Sequence, residues 1–97
     1  MELKMEETNI DGYVRLVRAV LIGATKDMVK YTRILKENPA MITAELRINY
    51  EAAKEWIESH EPDKYPLPFE FVCEVLGYDP EHARIKLFRH LDDIIAE

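Results

Sequence analysis

From residue 14 the chain carries a regular apolar pattern. Val14, Val17, Leu21, Ala24, Met28, Tyr31 and Leu35 follow one another at alternating steps of 3 and 4, the repeat that places all seven on one face of a helix. Asp11 has the side chain to cap the start, and Asn38-Pro39 supplies the stop, since a residue before proline avoids helical geometry. The pattern predicts a first helix over 11–37 with a seam long enough to pack against a partner helix, in the same chain or in a second copy. Gly23 costs that helix ~1 kcal/mol relative to alanine, and a close helix crossing at Gly23-Ala24 would offset it. Residues 1–9 are polar and acidic without a sustained period, and read as a frayed arm.

Asn38 and Pro39 also suit the N-cap and first turn of a second helix ending near His60. Its inner stripe is Ile42, Leu46, Ala53 and Ile57, flanked by Tyr50 and Trp56, with Glu51, Glu55 and Glu58 on the wet side. Three prolines in the seven positions 62–68 forbid its continuation and favour an extended connector. Phe69, Val72, Cys73 and Leu76 then fit a short helix that stops at Gly77. Asp79 as N-cap, Pro80 at the first position and Glu81 beside the helix dipole start the last one, whose inner stripe is Ala83, Leu87, His90, Leu91 and Ile94. Strand alternation is absent. The fold class is all-α: a single small domain over 1–97 with four helices, the N-terminal one long and the last two arranged like a helix-turn-helix.

Composition narrows the setting. Ninety-seven residues, 47% hydrophobic and 33% charged, make one domain with a modest core. No uncharged run approaches the ~20 apolar residues of a membrane span, and the first seven residues are too charged to open a signal peptide. The lone Cys73 suits a reducing compartment, so a cytoplasmic protein without a membrane role is expected. A net charge of −6 argues, taken alone, against general nucleic-acid binding. Its distribution changes that picture: residues 12–36 sum to +5, whereas 1–11, 37–79 and 80–97 sum to −3, −7 and −1. Two basic surfaces survive, one from Arg15, Arg18, Lys26, Lys30 and Arg33, the other from His82, Arg84, Lys86, Arg89 and His90.

The most specific local signal starts at Phe69. Counting it as position one, a small residue stands fifth (Cys73), glycine ninth (Gly77) and an apolar residue fifteenth (Ala83), and Tyr78-Asp79-Pro80 leads into the next helix. This stretch resembles the helix-turn-helix family, departing from it at Lys86, eighteenth, where Val or Ile is usual, and at Tyr78 in place of an aliphatic residue. The resemblance implies a recognition helix over 80–90 that turns Glu81, His82, Arg84, Ile85 and Arg89 outward, with Lys86 near the edge. Arg84 and Arg89 are then the leading contacts to duplex DNA, and Arg15, Arg18, Lys26, Lys30 and Arg33 auxiliary phosphate contacts. Operators are often two-fold symmetric, so a homodimer through helix 11–37 is expected. The rival reading is a plain helix–helix turn whose basic residues pair with Glu81, Asp92 or Asp93.

A wider resemblance rests on Ala53–Ser59 and Tyr65–Glu81: a tryptophan-containing helix, a proline-aromatic approach, Cys-Glu-x-Leu-Gly, and Asp-Pro before a basic helix. These features look like small uncharacterised phage and prophage proteins. They imply a viral or mobile-element protein, placed in the host cytoplasm, that acts on nucleic acid or on a host enzyme.

Other chemistries fit less well. Cys73, His82 and His90 lie nine and eight residues apart, matching no zinc half-site, so no metal is expected. Cys73 sits among Phe69, Val72 and Leu76, a poor setting for a thiolate nucleophile. Asp92-Asp93 and Glu6-Glu7 diverge by ~100° on a helix and cannot share a substrate. Trp56, Phe71, Tyr78 and Phe88 fit a core better than a stacking platform, and no glycine-rich phosphate loop exists. The expectation is a DNA-binding regulatory protein with no catalytic residues and no cofactor. The alternative is an acidic adaptor or inhibitor, with the surface of 37–79 engaging a basic host protein.

Overall fold

The computed structural model describes the backbone from Glu2 and the side chains from Asp11 to Glu97. Four helices form, α1 (Glu2–Glu37), α2 (Ala44–Glu58), α3 (Phe69–Leu76) and α4 (Pro80–Ala96), with no strand among the described residues. The first helix begins at Glu2, so Asp11 lies inside it instead of capping it, and the arm expected over 1–9 is helical from Glu2 on. Met1 lies outside the described residues.

Asn38-Pro39 ends α1 as expected, but no long helix follows directly. Pro39–Met41 makes a single 3₁₀ turn, and Asn38 offers it no side-chain cap. The N-cap of α2 is Thr43, whose Oγ1 accepts the Leu46 N–H at 3.1 Å. The second helix therefore starts five residues later than its proline suggests.

The three later helices all pack on α1. Val17 and Met28 of the α1 seam are fully buried, Val14, Leu21, Ala24 and Tyr31 are partly covered, and Leu35 is exposed. Tyr31 stacks on Tyr50 of α2 with ring centroids 4.3 Å apart. The same chain thus fills the seam from Val17 to Tyr31, and that seam is not left open as an interface for a second copy. The core gathers Val17, Met28, Ala53, Trp56, Ile57, Phe69, Val72, Cys73, Leu91 and Ile94, drawn from all four helices. His90, expected on the inner stripe of α4, is exposed. The proline-rich connector is tied down by Trp56, whose indole N–H donates to the Leu67 carbonyl at 2.7 Å while its ring meets Phe69 edge-on. Among the described residues no helix is long and apolar enough to cross a membrane.

Two glycines in this frame respond oppositely to the same change. Gly23 is exposed and a Cβ there meets nothing within 4 Å, so the close crossing expected at Gly23-Ala24 does not occur. Gly77 has φ +80°, the left-handed region, also with open space around it. In urea denaturation, Gly23→Ala should raise stability by about 1 kcal/mol, because only helix propensity changes. Gly77→Ala should lower it by about 1–2 kcal/mol, because an L side chain strains that backbone.

Candidate functional site

The turn that carries the helix-turn-helix resemblance forms as its sequence suggests. Gly77 donates to the Glu74 carbonyl at 3.1 Å and Tyr78 to the Cys73 carbonyl at 2.8 Å, the bond pair of a Schellman C-cap. Asp79 Oδ2 then accepts the His82 N–H at 3.1 Å, and Pro80 opens α4 where its missing N–H costs nothing. Cys73 is fully buried at the fifth position, and burial pushes its thiol pKa up, the setting of a core residue.

The face that α4 buries is wider than the expected one. Arg84, foreseen as the leading DNA contact, points inward and is 7% exposed, while Lys86, which the pattern would bury, points out. Ala83, Leu87, Leu91 and Ile94 keep the inner places expected of them, and the buried face extends by one residue to take in Arg84. The cause is the set of partners waiting inside. Arg84 Nε donates to the Ile57 carbonyl at 2.7 Å and Nη2 to the Ser59 carbonyl at 3.1 Å, both at the C-terminal end of α2, where carbonyls lack helical partners and a cation is favoured. Nη1 reaches Glu70 Oε2 of α3 at 3.1 Å and also bonds Glu81 one turn earlier on α4. The guanidinium lies 5.0 Å from the centre of the Phe69 ring. One buried cation thereby joins α2, α3 and α4, and it is withdrawn from any external partner. Spacing held a signal for this: Arg84, Leu87, Leu91 and Ile94 follow one another at 3, 4 and 3.

The same cluster accounts for a grouping of possible metal ligands. His60, Glu70 and Glu81 bring one ligand atom each to within 4.8 Å of one another, with His60 Nδ1 3.1 Å from Glu70 Oε2. Arg84 already bonds both carboxylates, so positive charge is supplied there by the chain itself.

The remaining cations fall on the outside. Arg15, Arg18, Lys26, Lys30, Arg33 and Lys36 of α1 are all exposed. At ~100° per residue they share a stripe about 120° wide with Ala19, Ile22 and the partly buried Val29, on the side of α1 opposite its buried seam, and Arg15 to Arg33 spans about 27 Å. The only acid between Arg15 and Lys36 is Asp27, which lies off the stripe toward α2. Lys30 shares a hollow with Asp27 and Glu45, so it is the most compensated member. From α4, His82 and Lys86 line a groove with Leu21 and Thr25, which places them along the flank of α1 next to Arg18; Arg89 is exposed one turn further along α4. The site residues His82, Lys86, Arg89, Arg15, Arg18 and Lys30 are thus outside, and Arg84 is not.

The acidic face of α2 is more mixed. Glu51, Glu55, Glu58 and Glu61 border one open hollow with Lys54 and Lys64, and Lys64 pairs with Glu55. Of the aromatic residues, Trp56 and Phe88 belong to the core or pack against it, whereas Phe71 and Tyr78 are exposed at 42% and 56%. Compared with protein families, curated proteins and solved structures, the chain matches none, so no relative bears on these residues.

Two outcomes follow from the buried arginine. Arg84→Ala takes the arginine donor from two carbonyls and from Glu70, which keeps His60 alone, and should cost on the order of 3 kcal/mol, read as a fall in Tm of more than about 10 °C. Arg84→Lys should recover little of this, because an ammonium cannot serve four acceptors set around a planar fork. The hydrogen bond from Arg84, chiefly, holds the Glu70 carboxyl below the usual carboxylate range against the opposing effect of burial, and His60 adds to it. A lowered folded-state pKa gives stability that is present above the unfolded value, about 4.3, and lost as pH falls through the folded value. The acid limb of denaturant midpoint against pH should therefore be shallower in Glu70→Gln than in the wild type below about pH 4.3.

Proposed function

We infer that the protein binds duplex nucleic acid, DNA in the first place, as a regulatory protein without catalysis. The observation that carries this reading is the exposed basic stripe of α1, which holds no acid from Arg15 to Lys36 while the chain as a whole is acidic. Cations clustered on one face are the electrostatic footprint of a phosphate backbone, and duplex DNA carries one negative charge per ~1.7 Å of axis, so a stripe of about 27 Å meets many phosphates at once. Lys86 and Arg89 extend the surface from α4. The stripe is the main contact here and α4 the auxiliary one, the reverse of the order that the helix-turn-helix resemblance implies. A regulatory role of phage or mobile-element type, and a second copy joined through surfaces other than the filled α1 seam, belong to the same proposal.

The adaptor reading is the second choice. It draws on the exposed Glu51, Glu55 and Glu58 of α2, but Lys54 and Lys64 share and partly neutralise that hollow, and no such compensation interrupts most of the α1 stripe.

Fluorescence anisotropy with a labelled mixed-sequence duplex at several salt concentrations separates the two. The wild type should bind with a strong salt dependence, and Arg18→Ala/Lys26→Ala/Arg33→Ala should reduce the slope of log K against log salt by roughly 3 while leaving the helical circular dichroism unchanged. A wild type that does not bind at low salt, or a triple variant that keeps the full slope, overturns the proposal. Loss of a protein partner on reversing Glu51, Glu55 and Glu58 would establish the adaptor instead.

A further inference from the structure

A groove of about 410 Å³ separates α1 from the α3–α4 turn, and the electrostatic reading leaves it unused. Its innermost wall is Phe69, 2% exposed. Leu21 and Thr25 of α1 form one side, and Ala83 and Leu87 of α4 the other. Outermost are Tyr78, Asp79, His82 and Lys86, all exposed. The lining is apolar inside and polar at the lip, where Lys86 carries a positive charge and Asp79 a negative one. Asp79, also in the wall, has Oδ2 engaged as the cap of α4, which leaves its second oxygen as an acceptor.

Size, shape and charge together select the occupant. A groove of this volume takes a small planar group and is too small for a helix. An apolar slot with a tyrosine ring at its mouth suits an aromatic heterocycle, since base–aromatic stacking needs only a π-face. The Lys86 ammonium at the lip suits a phosphate beside that heterocycle, and the His82 ring adds a hydrogen-bonding edge. The groove also adjoins the stripe: Arg18 precedes Leu21 by three residues and Ile22 precedes Thr25 by three, so stripe and groove wall are neighbouring rows of one helix. A strand whose phosphates follow the stripe passes the mouth of the groove.

We propose that this groove receives an unpaired base of the nucleic acid held by α1, so that the preferred ligand is a duplex with a looped-out nucleotide. The inference rests on the nucleic-acid reading and adds to it a selectivity that phosphate contacts alone do not give. Inside a continuous duplex every base is stacked and paired, and extrusion costs energy that a bulge has already spent.

The test uses three duplexes of one sequence: fully paired, with a single bulged adenine, and with an abasic bulge. The wild type should bind the bulged adenine about fivefold or more tightly than the paired duplex, and the abasic bulge like the paired one. Thr25→Trp, which fills the groove from α1, and Tyr78→Ala, which removes the ring at its mouth, should each abolish the preference while keeping paired-duplex affinity. Tyr78 is exposed and its backbone makes the turn, so that variant decides the matter if circular dichroism shows Thr25→Trp misfolded. Equal wild-type affinity for all three duplexes overturns the groove proposal and leaves the duplex reading standing. Absence of binding to any of them overturns both.

Discussion

Arg84 is the constraint on which the outer surface depends. Its guanidinium is nearly buried and meets two carbonyls at the end of α2, a carboxylate on α3 and another on α4. Taking such a charge out of water is costly, and it persists because every part of the planar fork finds an acceptor. Once Arg84 is fixed, α4 has one rotation left about its axis. Ala83 and Leu87 then face α1, and His82, Lys86 and Arg89 face outward. The polar lip of the groove is therefore a consequence of a contact made on another side of the helix.

The second constraint is size. A domain of 97 residues has one core, and here three helices converge on one side of α1. On the opposite side of α1 the described residues Arg15, Arg18, Ala19, Ile22, Lys26, Lys30, Arg33 and Lys36 are exposed. Six cations occupy that side, while ten of the acids lie in the segment 37–79. At physiological ionic strength charges are screened over ~8 Å, so a ligand close to the stripe meets the stripe more than the net charge of −6. An acidic protein can in this way present a local cationic surface.

What was legible from the residues and what was not differ in kind. The α1 seam, the proline stop at Asn38-Pro39, the Gly77 turn and the Asp79-Pro80 start of α4 are local signals, each decided by a few neighbouring residues, and each is present in the structure. The start of α2 was misplaced because Pro39 is as good an opening for one 3₁₀ turn as for a long helix, and Thr43 provides the cap that Asn38 lacks. The inward turn of Arg84 depends on carbonyls 25 and 27 residues away, brought near only once the connector folds back. Its seam spacing with Leu87, Leu91 and Ile94 was readable, but a charged residue at a seam position is ordinarily assigned to the surface. The groove was invisible for the same reason, since Leu21 and Leu87 meet across it from helices more than sixty residues apart in the chain.

These local and distant signals bear on function in opposite ways. A basic helix face can be read from one helix alone, because solvent exposure on the side opposite an apolar seam follows from helical geometry. A reading helix cannot, because which of its side chains point outward depends on what the rest of the chain offers to those that point in. On α4 that competition went to Arg84, whose guanidinium finds four acceptors inside and is not presented to an external partner. Arg89 is exposed one turn further along α4, and His82 and Lys86 are exposed where α4 runs beside α1. The surface that results combines an exposed cationic row on α1 with a shallow apolar recess beside it; for the proposed nucleic-acid ligand, such a geometry favours the shape of a strand over the edges of paired bases.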